Sequence, residues 1–206
     1  MKKYLILLLL ASFSVEAQIV NIPDANFKAK LLEASPSNTI AQSTMGQYFK
    51  IDVNNDGEIQ ESEALLVRNL NVSNSNISSL EGITSFLNII DLNASYNNLT
   101  TVNLSGLSFW KINLEFNQLN SISVTDFQNT YINVFKVNNN QLESFDFFEV
   151  FGNNSIDLLI DITELDISNN PIDYFNFDFN YFEFYVQKLK NQSLKIKKGN
   201  HKNLRG

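Results

Sequence analysis

Residues 52–63 read D-V-N-N-D-G-E-I-Q-E-S-E, setting acids and amides at short, regular intervals. Counted as a twelve-residue loop, position 1 is Asp52, position 3 Asn54, position 5 Asp56, position 6 Gly57, position 8 Ile59 and position 12 Glu63. This is the D-x-N-x-D-G-x-I-x-x-x-E order of an EF-hand loop, whose chemistry is calcium binding. Calcium is a hard cation that takes about six to eight oxygen ligands. The side chains of Asp52, Asn54 and Asp56 would supply three and the Glu58 carbonyl a fourth. Gln60 would act directly or through water, and Glu63 would close the shell with two oxygens. Gly57 is expected at positive φ, where a Cβ would be strained, and Ile59 is expected to anchor the loop in the core. The competing reading is an acidic turn closed by its own hydrogen bonds. EF-hand loops normally come in pairs, and the chain has no second copy. A dockerin shares the D-x-N-x-D-G core but would also need a second loop. A lone loop favours a stabilising role for calcium over a sensing one.

The flanking sequence supplies the scaffold for this loop. Residues 22–33, I-P-D-A-N-F-K-A-K-L-L-E, are expected to be helical, with Asp24 as N-cap and Phe27, Leu31 and Leu32 on one face. Residues 41–50, with Met45, Tyr48 and Phe49, are read as a short incoming helix that Gly46 weakens. Residues 62–67 suit the start of an exiting helix. Together, residues 18–65 are expected to form a helical cap that carries the loop.

A repeat occupies most of the chain beyond the cap. L-N-V-S-N-S-N-I at 70–77 is matched by 92–99, 112–119, 135–142 and 165–172. Each copy approximates L-x-L-x-x-N-x-L, with a further apolar residue at Leu80, Val102, Ile122, Phe145 and Phe175. The last apolar position steps from Ile77 to Leu99 (22), Leu119 (20), Leu142 (23) and Ile172 (30). The first three steps lie in the range of leucine-rich repeats. The fourth implies an insertion, placed at 147–157. A weak sixth copy is read at 182–189, starting from Phe182. The L-x-L pair alternates as in a short strand with both apolar side chains inward. The Asn stands where the chain turns off the strand, where its amide can satisfy buried backbone groups. The expected fold is therefore α/β, a leucine-rich repeat solenoid of curved, short parallel strands over residues 66–206, with the N-terminal helical cap containing the EF-hand-like loop.

Charge and composition narrow the function. Met1 to Ala17 has a basic start, an apolar run and a small-residue end, the pattern of a signal peptide cut after Ala17. That run is too short to span a bilayer, so no transmembrane segment is expected. Zero Cys excludes a disulfide framework and thiolate metal sites. Net charge is −7, and seven of fifteen positive residues lie at or after Lys188, so the body is strongly acidic. This argues against nucleic acid. The basic end is read as solvated, or as the stub of a longer chain.

By alternation, the outward strand positions include Asn69, Asn71 and Ser73; Asp91, Asn93 and Ser95; Lys111, Asn113 and Glu115; Val134, Lys136 and Asn138; Glu164, Asp166 and Ser168. This polar concave face would take an extracellular protein or glycan, although it lacks Trp, Tyr and Arg anchors. The alternative is a calcium-stabilised spacer with a merely solvated face. An enzyme is not expected: the single His, His201, sits in the basic tail, and a carboxylate-pair glycosidase would need a pocket that the sequence does not signal. The aromatic stretch 174–185 is read as core of the last repeats. The N-x-S/T triplets at Asn71, Asn76, Asn93, Asn98 and Asn103 are read as by-products of the repeat.

The chain resembles secreted bacterial leucine-rich repeat proteins. The resemblance rests on V-N-I-P-D-A-N-F-K at 20–28, D-x-N-x-D-G-x-I-x-x-x-E-A at 52–64, G-I-x-x-F-x-N at 82–88 and S-L-K-I-K-K-G-N at 193–200. It implies a secreted or surface-attached protein and names no ligand. Such proteins usually carry a C-terminal sorting domain. None is present here, so a fragment or a shortened relative is expected. The repeats also use Phe where Leu is usual.

Overall fold

The computed structural model describes residues 18–125, 131–151, 160–176 and 184–190. The expected signal peptide, His201, the basic end beyond Lys190 and the 193–200 segment lie outside the described residues. So do residues 152–157 of the expected insertion and much of the 174–185 aromatic stretch.

The protein is mixed α/β, with a mainly parallel sheet and few, short helices. The strands of the main sheet are β1 (Ala41–Ser43), β2 (Val67–Asn71), β3 (Asp91–Asn93), β5 (Lys111–Asn113), β7 (Tyr131–Lys136), β9 (Ile160–Asp166) and β11 (Phe184–Lys190). They lie side by side in that order; β1 is antiparallel to β2, and every later pair is parallel. Between them the chain crosses to a second layer, where β4 (Thr101–Asn103) pairs with β6 (Ser121–Ser123) and β8 (Ser144–Asp146) with β10 (Tyr174–Asn176). The further apolar residue of the last four copies is the centre of this second layer: Val102 faces Ile122, and Phe145 faces Phe175. One continuous apolar core, from Val20 to Ile172, fills the space between the layers.

Each copy buries the first residue of its L-x-L pair and the third, as with Leu92 and Ala94 or Ile112 and Leu114. The chain then turns through a left-handed residue. Asn74, Tyr96, Phe116, Asn139 and Asn169 occupy this slot at φ between 52° and 56°. The turn takes the backbone out of the sheet and leaves its amides and carbonyls without strand partners. The next residue supplies them. Asn117 donates Nδ2 to the carbonyls of Ala94 (3.0 Å), Leu114 (3.0 Å) and Glu115 (3.3 Å), and its Oδ1 accepts from Leu99 N (3.1 Å). Asn97, Asn140 and Asn170 repeat this pattern. Each amide thus joins its own copy to the preceding one. At the first copy Ser75 cannot do so; its N–H instead donates to Asn97 Oδ1 at 3.0 Å.

The N-terminal segment closes this end of the core. Helix α1 (Ala25–Leu32) buries Phe27 and Leu31, with Leu32 at its margin. Asp24 caps it: Oδ1 accepts from Phe27 N at 2.9 Å. The other oxygen reaches across to the chain after the first copy, accepting from Ser78 N (2.8 Å), Ser78 Oγ (2.6 Å) and Ser79 N (3.0 Å). Gly82 completes the junction. Its φ is 98°, and a Cβ there would lie 2.6 Å from the Asn21 carbonyl oxygen. Two segments that the sequence sets far apart, 20–28 and 82–88, are therefore in contact.

Three expectations need correction. Residues 41–50 are not helical: β1 pairs Ala41 with Leu70 and Gln42 with Asn69, then turns at Gly46 (φ 82°). The open edge of β2 needs a strand partner, and Gly46 favours the turn, so Met45 is left exposed. The exiting helix is a single turn, α2 (Glu61–Ala64), because Val67 already enters β2. For the sixth copy, β11 pairs Leu189 with Leu165, so Leu189 and not Phe182 holds the first apolar place. The described part of the insertion is α3 (Phe147–Phe151). Phe151 packs on Phe135 at 5.5 Å, Phe147 on Phe145 at 5.3 Å, and Phe175 on Phe145 at 6.1 Å, which gives the Phe-for-Leu exchanges a shared aromatic cluster. Tyr174, in contrast, is exposed. Among the described residues no helix is long and apolar enough to cross a membrane.

Replacing Asn117 by Ala strands several buried backbone groups, each costing about 1–3 kcal/mol. Urea unfolding should show a loss of at least about 2 kcal/mol, whereas exposed Asn98→Ala should change stability by under about 0.5 kcal/mol. For Asp24, burial pushes the carboxyl up, but the Ser78 hydroxyl and the amides of Phe27, Ser78 and Ser79 together outweigh it and hold the carboxyl below its ordinary value of 3.8. Its contribution is therefore present above pH 3.8 and lost as pH falls through the lower folded value. The Tm difference between wild type and Asp24→Ala should be full at neutral pH and shrink on acidification below that range.

Candidate metal centre

The loop at 52–63 is built from hydrogen bonds between its own acids and its own amides. Asp52 accepts from Asp56 N (3.2 Å) and Gly57 N (3.4 Å). Asn54 Oδ1 accepts from Asp56 N at 3.0 Å, and Asp56 Oδ1 from Glu58 N at 2.9 Å. Glu63 reaches back from α2: Oε1 accepts from Val53 N (2.7 Å) and Asn54 N (3.3 Å), Oε2 from Gln60 N (3.1 Å). Gly57 has φ 80°, and Ile59 is fully buried, as the spacing requires. Asp52, Asn54, Asp56, Gln60 and Glu63 are thus brought into one unit. The Glu58 side chain turns away to Lys28 at 2.6 Å, which leaves only its carbonyl for a ligand role.

The loop is seated from the N-terminal side. Val20 N donates to Ile59 O at 2.8 Å and Glu61 N to Gln18 O at 2.8 Å, which makes Ile19 the antiparallel β-bridge partner of Gln60, position 9. A lone loop therefore still has an extended segment bridged to it. Two cations outside the expected ligand set also contribute. Lys28 pairs with Glu58, and Lys50 stands 3.5 Å from Asp52 while also donating to Asn55. Lys50 lies two residues before the loop; Lys28 comes from α1, and no local signal places it there.

Asp52 is 4% exposed and Glu63 6%. Buried carboxylates are costly unless hydrogen-bonded or charge-compensated. Asp52 has Lys50 beside it; Glu63, like Asp56, has no ion pair among the described residues. The Glu58 amide holds the Asp56 carboxyl below its ordinary range, against an opposing desolvation effect and with help from Asn54 and Gln60. Asp56 Oδ2 accepts from Asn54 Nδ2 (2.8 Å) and Gln60 Nε2 (2.7 Å). Rotation of either amide exchanges its NH2 for its oxygen, so these positions can present donors to a carboxylate or oxygens to a cation. The donor set is all oxygen, the chemistry a hard cation requires. Each acid spends at least one oxygen on a loop amide, and among the described residues no three His, Cys, Asp or Glu side chains converge as a formed metal cluster.

The strand face is not uniformly solvated. Ser95, Asn138, Asp166 and Ser168 are buried, because strands spaced about 4.8 Å apart shield one another's side chains. Many of these polar groups serve the turn. Asn71 Oδ1 accepts from Ser73 N and Oγ, Asn93 from Ser95 N and Oγ, and Asp166 from Ser168 N and Oγ, while Asn103 accepts from Ser105 N. The N-x-S triplets at 71, 93 and 103 are therefore Asx turns, in which the side chain stands in for a backbone acceptor. Aromatic groups also stand at the edge of the face. Tyr96 and Phe116 occupy the left-handed slot, half-exposed and stacked at 4.4 Å. The signal for them was an aromatic residue directly before the ladder Asn.

The chain matches no protein-family model, and no curated protein matches it.

Glu63 holds the loop even without any ion. In chelator, Glu63→Ala should lower unfolding stability by at least about 2 kcal/mol, since it strands amides in a buried setting. Asp56→Ala, at an exposed position where water replaces the side chain, should lower the urea midpoint less than Glu63→Ala does under the same conditions.

Proposed function

We propose that this chain is a secreted or cell-surface leucine-rich repeat solenoid, whose N-terminal cap at 18–65 is secured by one calcium ion and whose strand face binds an extracellular protein or glycan. The carrying observation is the 52–63 loop, which gathers Asp52, Asn54, Asp56, Gln60 and Glu63 into a single oxygen-rich unit. Calcium would take the side chains of Asp52, Asn54, Asp56 and Glu63 with the Glu58 carbonyl, and would neutralise acids that the two nearby lysines only partly offset. The asparagine ladder supports the repeat reading, since one amide per copy joins successive copies. The ion acts by mass action on the folded state and carries no signal of its own.

Thermal unfolding of the protein with calcium and with chelator tests this. Calcium at about a hundred times its Kd stabilises by about 2.7 kcal/mol, which raises Tm by roughly 5–10 °C in a chain of this size. Asp52→Ala and Asp56→Ala should abolish that rise. A wild-type Tm that is equal in calcium and chelator would sink the calcium assignment.

A further inference from the structure

The strand face carries a concavity where the N-terminal segment meets the sheet. It has a volume of about 220 Å³ and is lined by residues of the β1 turn, β2, β3 and β5. That is below the roughly 300–1,000 Å³ of drug-sized sites, so it has room for one small ring rather than a chain.

Its polar groups are unusually uncommitted for a face whose other side chains serve turns. Asn69 gives its Nδ2 to Gln42, and its Oδ1, without a partner among the described residues, is closed off from the cleft. The Asp91 carboxylate, half-buried beside it, makes no hydrogen bond among the described residues. Burial pushes that carboxyl up, and Lys111 pulls it part of the way back. Lys111 is in no ion pair among the described residues. Asn71 and Asn93 use their oxygens on Ser73 and Ser95, which leaves their NH2 groups open. Register sets these groups in two parallel rows: Asn69, Asp91 and Lys111 in one, Asn71 and Asn93 in the other. Tyr48, half-exposed, lines the cleft from the β1 turn.

The rows thus hold an open acceptor at Asp91 among donors at Asn71, Asn93 and Lys111. An anion would meet Asp91, and a cation would meet Lys111. A hydroxyl both donates and accepts, so neighbouring hydroxyls on one ring satisfy both kinds of group, and the Tyr48 ring can cover an apolar ring face. We propose that this cleft is a monosaccharide subsite that holds one neutral sugar ring of an extracellular glycan through Asn71, Asp91, Asn93 and Lys111. The proposal rests on the strand-face binding reading and selects its glycan arm.

The test is saturation-transfer NMR on the full chain with methyl glycosides of glucose, galactose, mannose and N-acetylglucosamine, with glycylglycine as a zwitterionic comparison. At least one glycoside should bind. Asp91→Asn and Lys111→Met should each weaken it tenfold or more at unchanged Tm, and Glu81→Gln, remote from the cleft, should leave it unchanged. Glycylglycine binding in place of the glycosides, or glycoside binding indifferent to both cleft variants, overturns the proposal. Gluco- and manno-hexaoses separate the two levels. If hexaoses bind wild type and both cleft variants equally, the subsite fails and the strand-face reading stands. If neither single rings nor hexaoses bind, the glycan arm fails altogether, and a protein partner or a spacer without a ligand remains.

Discussion

A chain that leaves a sheet by a sharp left-handed turn must satisfy buried backbone groups that no strand can reach. Here a single side chain solves this in four successive copies. The amides of Asn97, Asn117, Asn140 and Asn170 each bond carbonyls on two adjacent copies and return an acceptor to an amide of the preceding one. Because each bond set spans two copies, the ladder fixes their spacing and lets three-residue strands such as β3 and β5 persist. Strands of that length would be marginal alone.

Satisfaction of backbone groups also explains why so much of the surface polarity is not free for ligands. Asn71, Asn93, Asn103 and Asp166 look like outward, ligand-ready residues, but their oxygens close the next turn. What remains uncommitted is concentrated near Asp91, where the N-terminal segment interrupts the regular face. Tyr96 and Phe116 form a second departure. The left-handed slot is costly for residues other than Gly and favours Asn among the rest, and Asn fills it at 74, 139 and 169. Their mutual stacking at 4.4 Å offsets part of that cost.

The N-terminal region applies the same economy to carboxylates. Asp24 serves a helix cap with one oxygen and a distant loop with the other, while Glu63 serves three amides of the loop before it. Both therefore act as ties between segments, and the acidic loop is organised whether its acids face an ion or one another's amides.

Features that depend on local spacing were legible in the chain alone. These include the helix cap at Asp24, the positive φ at Gly57, the buried Ile59, the L-x-L strands and the ladder asparagines, because each is set by residues within one turn or strand. The fate of 41–50 was not legible. Its apolar spacing suited a helix, but an unpaired edge of β2, visible only once the sheet exists, draws it into a strand. The same holds for the contact of Gly82 with Asn21, the Lys28–Glu58 pair and the cleft at Asp91. Each joins segments far apart in the chain. Such contacts are settled by folding, since sequence periodicity records which face a residue takes and not which distant residue it meets.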